Sequence, residues 1–281
     1  MEKVFGLLGH PVGHSMSPLI HNDAFQVLNI EARYHAFDVQ PNHVKEAIDG
    51  IRALNLSGCN VTVPHKIAVM EFLDEIDDEA TQIGAVNTIV NKEGKLIGYN
   101  TDGRGYVKSL LEETGEEIGS KKFLIIGAGG AARGIVTALL RQGIGQLTIT
   151  NRTLEKAQPL LKLAQVYETD ACAIEKHKAE LTLNEFDVII NTTSIGMSPN
   201  IEESPISLKN MKRGTIVSDL IYNPIETKLL KDAKQQGAKT VNGIGMFVNQ
   251  AVLAFEHWTG ENPDPLRMEK IVLQQLGGTT C

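Results

Sequence analysis

The chain has 281 residues, 42% of them hydrophobic and 22% charged, and carries a formal net charge of -7. That length suits one large or two ordinary domains with a sizeable core, and the composition is that of a globular rather than a disordered chain. The acidic balance argues against partners bound by bulk electrostatics, such as nucleic acid or an anionic membrane, and no apolar stretch reaches the length of a transmembrane helix.

The N-terminal apolar run is too short for a signal peptide and is broken by Gly and Pro. Cys59, Cys172 and Cys281 form no CxxC pair and are odd in number, so they read as idle thiols in a reducing compartment. A cytoplasmic protein is expected. In chain order, residues 4–8 read as a strand, and Ser17-Pro18 supply an N-cap and a first-turn proline for a helix to about Leu28. A strand over 34–39 precedes a helix over 42–54 with Val44, Ala47, Ile48 and Ile51 on one face. A strand over 59–63 ends at Pro64, and a short helix spans 67–73. Strands at 86–90 and 95–100 flank a hairpin turn.

From residue 123 the pattern changes to buried strands alternating with helices. The strand 123–126 runs straight into GAGGAAR, and the helix that follows carries Ala132, Ile135, Val136, Leu139 and Leu140 on one stripe before stopping at Gly143. Further strands are expected at 147–150, 186–191 and 215–219, with helix from Ile244 onward. This alternation implies an α/β protein with a parallel, doubly wound sheet.

Gly127, Gly129 and Ala132 fit G-x-G-x-x-A directly after a strand and at the opening of a helix. Chemistry asks for glycines here because the backbone must turn tightly and approach a pyrophosphate, whose charge meets the helix N-terminus. The same glycines can serve a purely structural turn, but the strand before them and the helix stripe after them favour a dinucleotide. The next strand ends in Asn151-Arg152-Thr153 with Lys156 close behind, where an NAD-selective site would carry an acid. Arg152 and Lys156 would attract a 2′-phosphate, which points to NADP; the alternative is that Thr153 caps a helix and the cations are solvated.

Four polar clusters sit at ends of expected elements: residues 14–18, 60–66, 85–88 and 100–103. Each has a local explanation as a cap or a backbone bond. Together, their hydroxyls and amides, with one Lys and one Asp, suit a small polyhydroxylated ligand. With these clusters in view, the sequence closely resembles the shikimate dehydrogenase family. The matching stretches are GHPVGHSMSPLIHN, NVTVPHK, GAVNT, NTDGRG, GAGGAAR, NRT, NTTSIGM, DLIYNP and NGIGMFVNQA, in the family's order from Gly9 to Ala251.

The resemblance implies two α/β lobes with a cleft between them: a discontinuous substrate-binding catalytic domain, 1–102 with 240–281, and a Rossmann-type NADP-binding domain, 103–239. It implies that Ser15 and Ser17 hold a substrate carboxylate, and that Thr62, Asn87 and Asp102 bind ring hydroxyls with Asn60 in support. Tyr222 and Gln250 would complete the pocket. Lys66, with Asp102 beside it, would be the catalytic acid/base. Gly127, Ala128, Gly129, Gly130 and Ala131 would cradle the pyrophosphate, and Asn151, Arg152, Thr153 and Lys156 the adenosine phosphate. Thr192, in the stretch 191–194, would face the cofactor, with Leu220, Gly243 and Met246 near the nicotinamide. The activity implied is NADPH-dependent reduction of 3-dehydroshikimate to shikimate. Chemistry agrees: a ketone accepting hydride needs a proton donor at the developing alkoxide, and a Lys held by a carboxylate can be one. A broader quinate/shikimate dehydrogenase and a non-catalytic NADP-binding sensor are the competing readings. His10, His14 and His21 lack a metal-ligand spacing, so no metal is expected. The oligomeric state is open, a homodimer included.

Overall fold

Among the described residues, 2–115 and 117–277 of a computed structural model, the short apolar runs form twelve strands in two six-stranded sheets. Cys281 lies outside the described residues. The chain divides into two units, Met1–Gly105 with Val248–Cys281, and Tyr106–Phe247.

The first unit holds β1 (Lys3–Gly9), α1 (Ser17–Val27), β2 (Ala32–Asp38), α2 (Val44–Ala53) and β3 (Gly58–Val61), then β4 (Glu75–Ile76), α3 (Asp78–Ile83), β5 (Thr88–Lys92) and β6 (Lys95–Tyr99). Its sheet order is β2-β1-β3-β5-β6-β4, parallel except where β5 runs antiparallel to β3 and β6. The hairpin turn expected near 91–94 is Glu93-Gly94, with Lys92 opposite Lys95. Val44, Ile48 and Ile51 of α2 pack with Leu8, Val61 and Ile89. An aromatic cluster also fills this unit: Phe5 lies 5.2 Å from the Phe25 ring and 5.0 Å from Trp258, whose Nε1 donates to the Ile89 carbonyl at 3.0 Å.

Ser17 is not the cap of α1. Met16 holds that position with no side-chain cap bond, and Ser17 is the first helical residue. The reason is a competing partner, because the Ser17 hydroxyl accepts from Ser15 Oγ at 3.2 Å.

The second unit begins within α4 (Asp102–Thr114). It holds β7 (Lys122–Ile126), α5 (Gly130–Arg141), β8 (Gln146–Thr150), α6 (Gln158–Val166), β9 (Asp170–Ile174), α7 (Lys176–Leu181), β10 (Val188–Asn191), β11 (Ile216–Asp219), α8 (Lys228–Gln235) and β12 (Lys239–Val241). It ends within α9 (Ile244–Thr259); α10 (Pro265–Gln275) follows in the first unit. The order β12-β11-β10-β7-β8-β9 is parallel throughout. It reverses between β7 and β10, the switch point at which doubly wound sheets bind ligands beyond the strand C-termini.

Both faces of this sheet are covered, as a parallel sheet requires. Phe123 and Ile125 pack with Ala132, Ile135 and Leu139 on one face. Leu124 and Ile126 pack with Leu183, Phe186 and Leu229 on the other. The helix α5 stops at Gly143 as its sequence implied, with Gln142 as C-cap and Gly143 at φ +69°.

Candidate active site

In the first unit, polar residues gather around one ion pair. Lys66 sits in the loop after β3 and is fixed by its own carbonyl, which accepts from Val86 N–H at 2.8 Å. Its Nζ lies 2.6 Å from Asp102 Oδ2, the two side chains being only 14% and 5% exposed. Lys66 is therefore not a solvated surface cation. A largely desolvated pair needs further hydrogen bonds to be tolerated, and the Asp102 carboxylate has one from Asn87, while Asn100 fixes its backbone. Asn87 Nδ2 donates to Asp102 Oδ1 at 2.8 Å, and Asn100 Oδ1 accepts from Asp102 N–H at 3.1 Å.

The amide of Asn87 anchors the next layer. Its Oδ1 accepts from Thr101 N–H and from Thr88 Oγ1, both at 2.9 Å. Asn60 Nδ2 donates to the Asn87 carbonyl and to Thr88 Oγ1, each at 3.2 Å. The buried Tyr34 hydroxyl donates to Asn60 Oδ1 at 2.7 Å. Thr101 Oγ1 donates to the Gln250 carbonyl at 3.0 Å, which ties α9 to the cluster. One hydrogen-bonded series thus joins Lys66, Asp102, Asn87, Thr88, Asn60 and Tyr34, while Ser15 and Ser17 bond each other. Thr62 is held by its backbone, its N–H donating to the Leu8 carbonyl at 2.8 Å, and its hydroxyl has no protein partner among the described residues. Sequence reasoning missed Tyr34, Thr88 and Thr101 in this series. Thr88 and Thr101 lay inside the polar clusters, whereas Tyr34 looked like an ordinary strand aromatic.

The histidines separate. His65 is buried and donates to the Val39 carbonyl at 2.6 Å, a structural anchor for the loop that carries Lys66. His10 lies 2.7 Å from Asp38. His21 is buried with neither ring nitrogen partnered, stacked on Tyr34 at 4.6 Å, and burial lowers its pKa to about 3.

The second unit carries the remaining expected residues. Gly127 has φ +113°, and a Cβ there would lie 2.5 Å from Thr192 Oγ1, so the glycine is demanded by conformation and by close approach. Gly129 is the N-cap of α5, without a side-chain cap bond, and nothing lies within 4 Å of where its Cβ would be. Gly130 and Ala131 open the helix, with Ala128 buried behind the turn. The uncapped first turn and the open space above Gly129 fit a dinucleotide pyrophosphate.

Beyond β8, Asn151 Nδ2 donates to the Thr153 carbonyl at 2.7 Å, closing the turn. Thr153 makes no side-chain cap bond. Arg152 and Lys156 are exposed and have no ion-pair partner among the described residues, so both charges are available to an anion. Thr192, just past β10, bonds the Ile126 carbonyl through its N–H at 2.9 Å and its hydroxyl at 2.8 Å. Gly243 lies so close to Leu220 that a Cβ would collide with the Leu220 carbonyl. Met246 is buried with Leu220 packed against the same cluster. Tyr222 packs its ring 4.7 Å from Phe247, and burial raises its hydroxyl pKa.

One buried carboxylate here was not singled out in the sequence. Asp219, at the end of β11, accepts from Asn191 Nδ2 at 3.0 Å, Ile221 N–H at 3.1 Å and Thr227 Oγ1 at 2.8 Å. Burial nevertheless pushes its pKa up to about 6. Desolvation outweighs the three donors.

A switch-point glycine turn in one unit and a buried Lys–Asp pair among amides and hydroxyls in the other define an α/β oxidoreductase of the dinucleotide-binding class. Three family models match: the shikimate dehydrogenase substrate binding domain over residues 7–89, shikimate / quinate 5-dehydrogenase over 109–229, and the shikimate 5′-dehydrogenase C-terminal domain over 243–273. The chain belongs to the shikimate dehydrogenase family. A shikimate dehydrogenase (NADP(+)) of Geobacillus sp. (strain WCH70) is 56% identical, the match covering 99% of this chain and 100% of that protein. The Thermus thermophilus shikimate 5-dehydrogenase, solved with NADP(H) and shikimate, superposes with a TM-score of 0.86 at 34% identity over 97% of this chain and 99% of that one. A Corynebacterium glutamicum quinate dehydrogenase solved with NAD gives 0.89 at 29% identity, over 97% and 99%.

Proposed function

We propose that this chain catalyses the reversible NADPH-dependent reduction of 3-dehydroshikimate to shikimate, the reaction of chorismate and aromatic amino acid biosynthesis, with Lys66 as acid/base. The observation that carries the reading is the Lys66–Asp102 pair at 2.6 Å, part-buried and locked by Asn87. Gly127 to Ala131 would hold the pyrophosphate, and Asn151 to Lys156 the adenosine phosphate. Thr192, Leu220, Gly243 and Met246 would flank the nicotinamide. NADPH supplies the hydride that reduces the carbonyl carbon.

The protein's task is then at the oxygen. Lys66 Nζ donates a proton to the developing alkoxide, and Asp102 keeps the ammonium oriented through that transfer. In the reverse direction neutral Lys66 takes the hydroxyl proton as hydride leaves. Asn87 and Asp102 align ring hydroxyls, with Thr62 offering its unpartnered hydroxyl and Asn60 stiffening the amide layer. Ser15 and Ser17 would bind the carboxylate, and Tyr222 and Gln250 would each contribute a substrate contact.

No helix is long and apolar enough to cross a membrane among the described residues. We assign the reaction to the cytoplasm, a reading supported by Cys59 and Cys172, both free thiols. Its partners are small molecules, and sedimentation reads whether two copies associate as a homodimer. The test is reduction of NADP+ with shikimate, repeated with quinate and with NAD+. Turnover with shikimate and NADP+ well above the other pairs is expected. Comparable turnover of quinate would make this a broader enzyme, and no turnover of any pair would overturn the reading.

A further inference from the structure

The three hydrogen bonds on Asp219 reach three different loops at the C-terminal edge of the second unit's sheet. Through Asn191 Nδ2 at 3.0 Å, Asp219 holds the segment after β10. Asn191 Oδ1 in turn accepts from Thr193 N–H at 3.0 Å and Thr193 Oγ1 at 2.7 Å. That segment includes Thr192, the residue against which Gly127 turns. Through Ile221 N–H at 3.1 Å, Asp219 holds the loop after β11, between Leu220 and Tyr222. Ile221 also accepts from Gly243 N–H at 3.1 Å, so the turn that opens α9 is fixed at one remove. Through Thr227 Oγ1 at 2.8 Å it holds the N-cap of α8, where the same hydroxyl accepts from Leu230 N–H.

Asp219 and Asn191 are both fully buried, so neither reaches a ligand directly. A buried carboxylate costs free energy, and leaving its donors unpaired would cost more, so the three loops are bound to one another through it. Every bond on Asp219 uses an acceptor oxygen. A neutral amide keeps one acceptor oxygen for Asn191 and Ile221, and its Nδ2 can donate to Thr227 Oγ1 in place of accepting from it.

We propose that Asp219 is a positioning residue for the dinucleotide: its carboxylate holds the loops carrying Thr192, Leu220 and Gly243 in the arrangement that the cofactor requires. The inference rests on the NADP-binding reading above. It separates Asp219 from the groups that touch substrate or cofactor, and from the Lys66 network, which lies in the other unit.

The test compares Asp219→Ala and Asp219→Asn with the wild-type chain. NADP+ binding is measured calorimetrically, amide hydrogen exchange is followed in the ligand-free protein, and KM is determined for each substrate. Loss of a buried acceptor of this kind corresponds to about a tenfold change in affinity. Asp219→Ala is therefore expected to weaken NADP+ about tenfold and raise its KM equally, to leave the shikimate KM within about twofold, and to speed exchange at residues 192–197 and 220–222. Asp219→Asn is expected to restore binding to within about threefold of wild type. An Asp219→Ala protein that binds NADP+ normally overturns the proposal, as does an Asp219→Asn protein as defective as Ala. If Ala does not fold, Asn191→Ala decides: it removes the bond through which Asp219 holds the segment after β10, and unaltered exchange at residues 192–197 with unaltered NADP+ affinity would sink the idea. Failure of the wild-type chain to bind NADP+ overturns the underlying reading instead.

Discussion

Replacing His21 with Phe should spare the fold about 2 kcal/mol of the stability that the wild-type chain loses between pH 7 and pH 5. His21 is buried, neither of its ring nitrogens has a partner, and it is stacked on Tyr34 at 4.6 Å and on Phe255 at 6.1 Å. Burial lowers its pKa from 6.5 to about 3, so the fold holds it neutral. Below pH 6.5 the unfolded chain takes up a proton that the folded chain refuses. The stability contribution is therefore fully present above pH 6.5 and is lost as pH falls toward 3. Each pKa unit is worth about 1.4 kcal/mol, which makes the full loss about 5 kcal/mol and the part between pH 7 and pH 5 about 2 kcal/mol. Phe keeps the ring stack and does not titrate. Its larger size adds a packing cost of about 1 kcal/mol that is the same at both pH values and cancels in the difference. Urea unfolding of both proteins at pH 7 and pH 5 reads the effect. The wild type should lose about 2 kcal/mol more than His21→Phe over that interval. Equal losses would mean that His21 finds a proton-accepting environment in the fold and that the burial argument is wrong.

The active-site predictions are kinetic. Lys66→Ala should lower kcat by about a hundred- to ten-thousand-fold with little change in substrate binding, since the proton donor acts only as charge develops; near-normal turnover would remove Lys66 from the mechanism. Arg152→Ala should weaken NADPH by about tenfold while barely touching NADH, measured by fluorescence titration, because its exposed guanidinium has only the 2′-phosphate to distinguish the two; equal losses would rule out that contact. Gly243→Ala drives a Cβ into the Leu220 carbonyl, so it should cost about 1–3 kcal/mol in thermal or urea unfolding and raise the KM for NADPH. An unchanged KM would detach Gly243 from the cofactor-side surface.

Much of the second unit was legible because its signals are local. The stripe Ala132, Ile135, Val136, Leu139 recurs at helical spacing, and that face is buried in α5. The GAGGAAR turn lies between a strand and a helix in both the sequence and the structure. The polar clusters of the first unit were equally visible as residues, yet each read singly as a cap or a backbone bond. Ser17 illustrates the limit. Its neighbours made it a helix cap, whereas Met16 takes that position and Ser15 donates to the Ser17 hydroxyl. Tyr34 and Asp219 escaped notice because their partners lie well away along the chain: Tyr34 bonds Asn60, and Asp219 bonds Asn191.

The amino-acid sequence by itself determined the α/β class, the glycine turn with its helix, the cations after β8 and the family. These rest on residue types within a few positions of one another, where backbone geometry and helical or strand periodicity act directly. Resemblance set Asp102 beside Lys66, but tertiary structure alone decided the bonds that hold them: Lys66 to Asp102 across 36 positions at 2.6 Å, Asn87 Nδ2 to Asp102, Asn60 to the Asn87 carbonyl, and Asp219 to three loops. Strand order decides those meetings. β3 pairs with β5, and β10 sits between β7 and β11, so burial of both sheet faces brings distant polar groups out of water, where each must find a hydrogen-bonding partner.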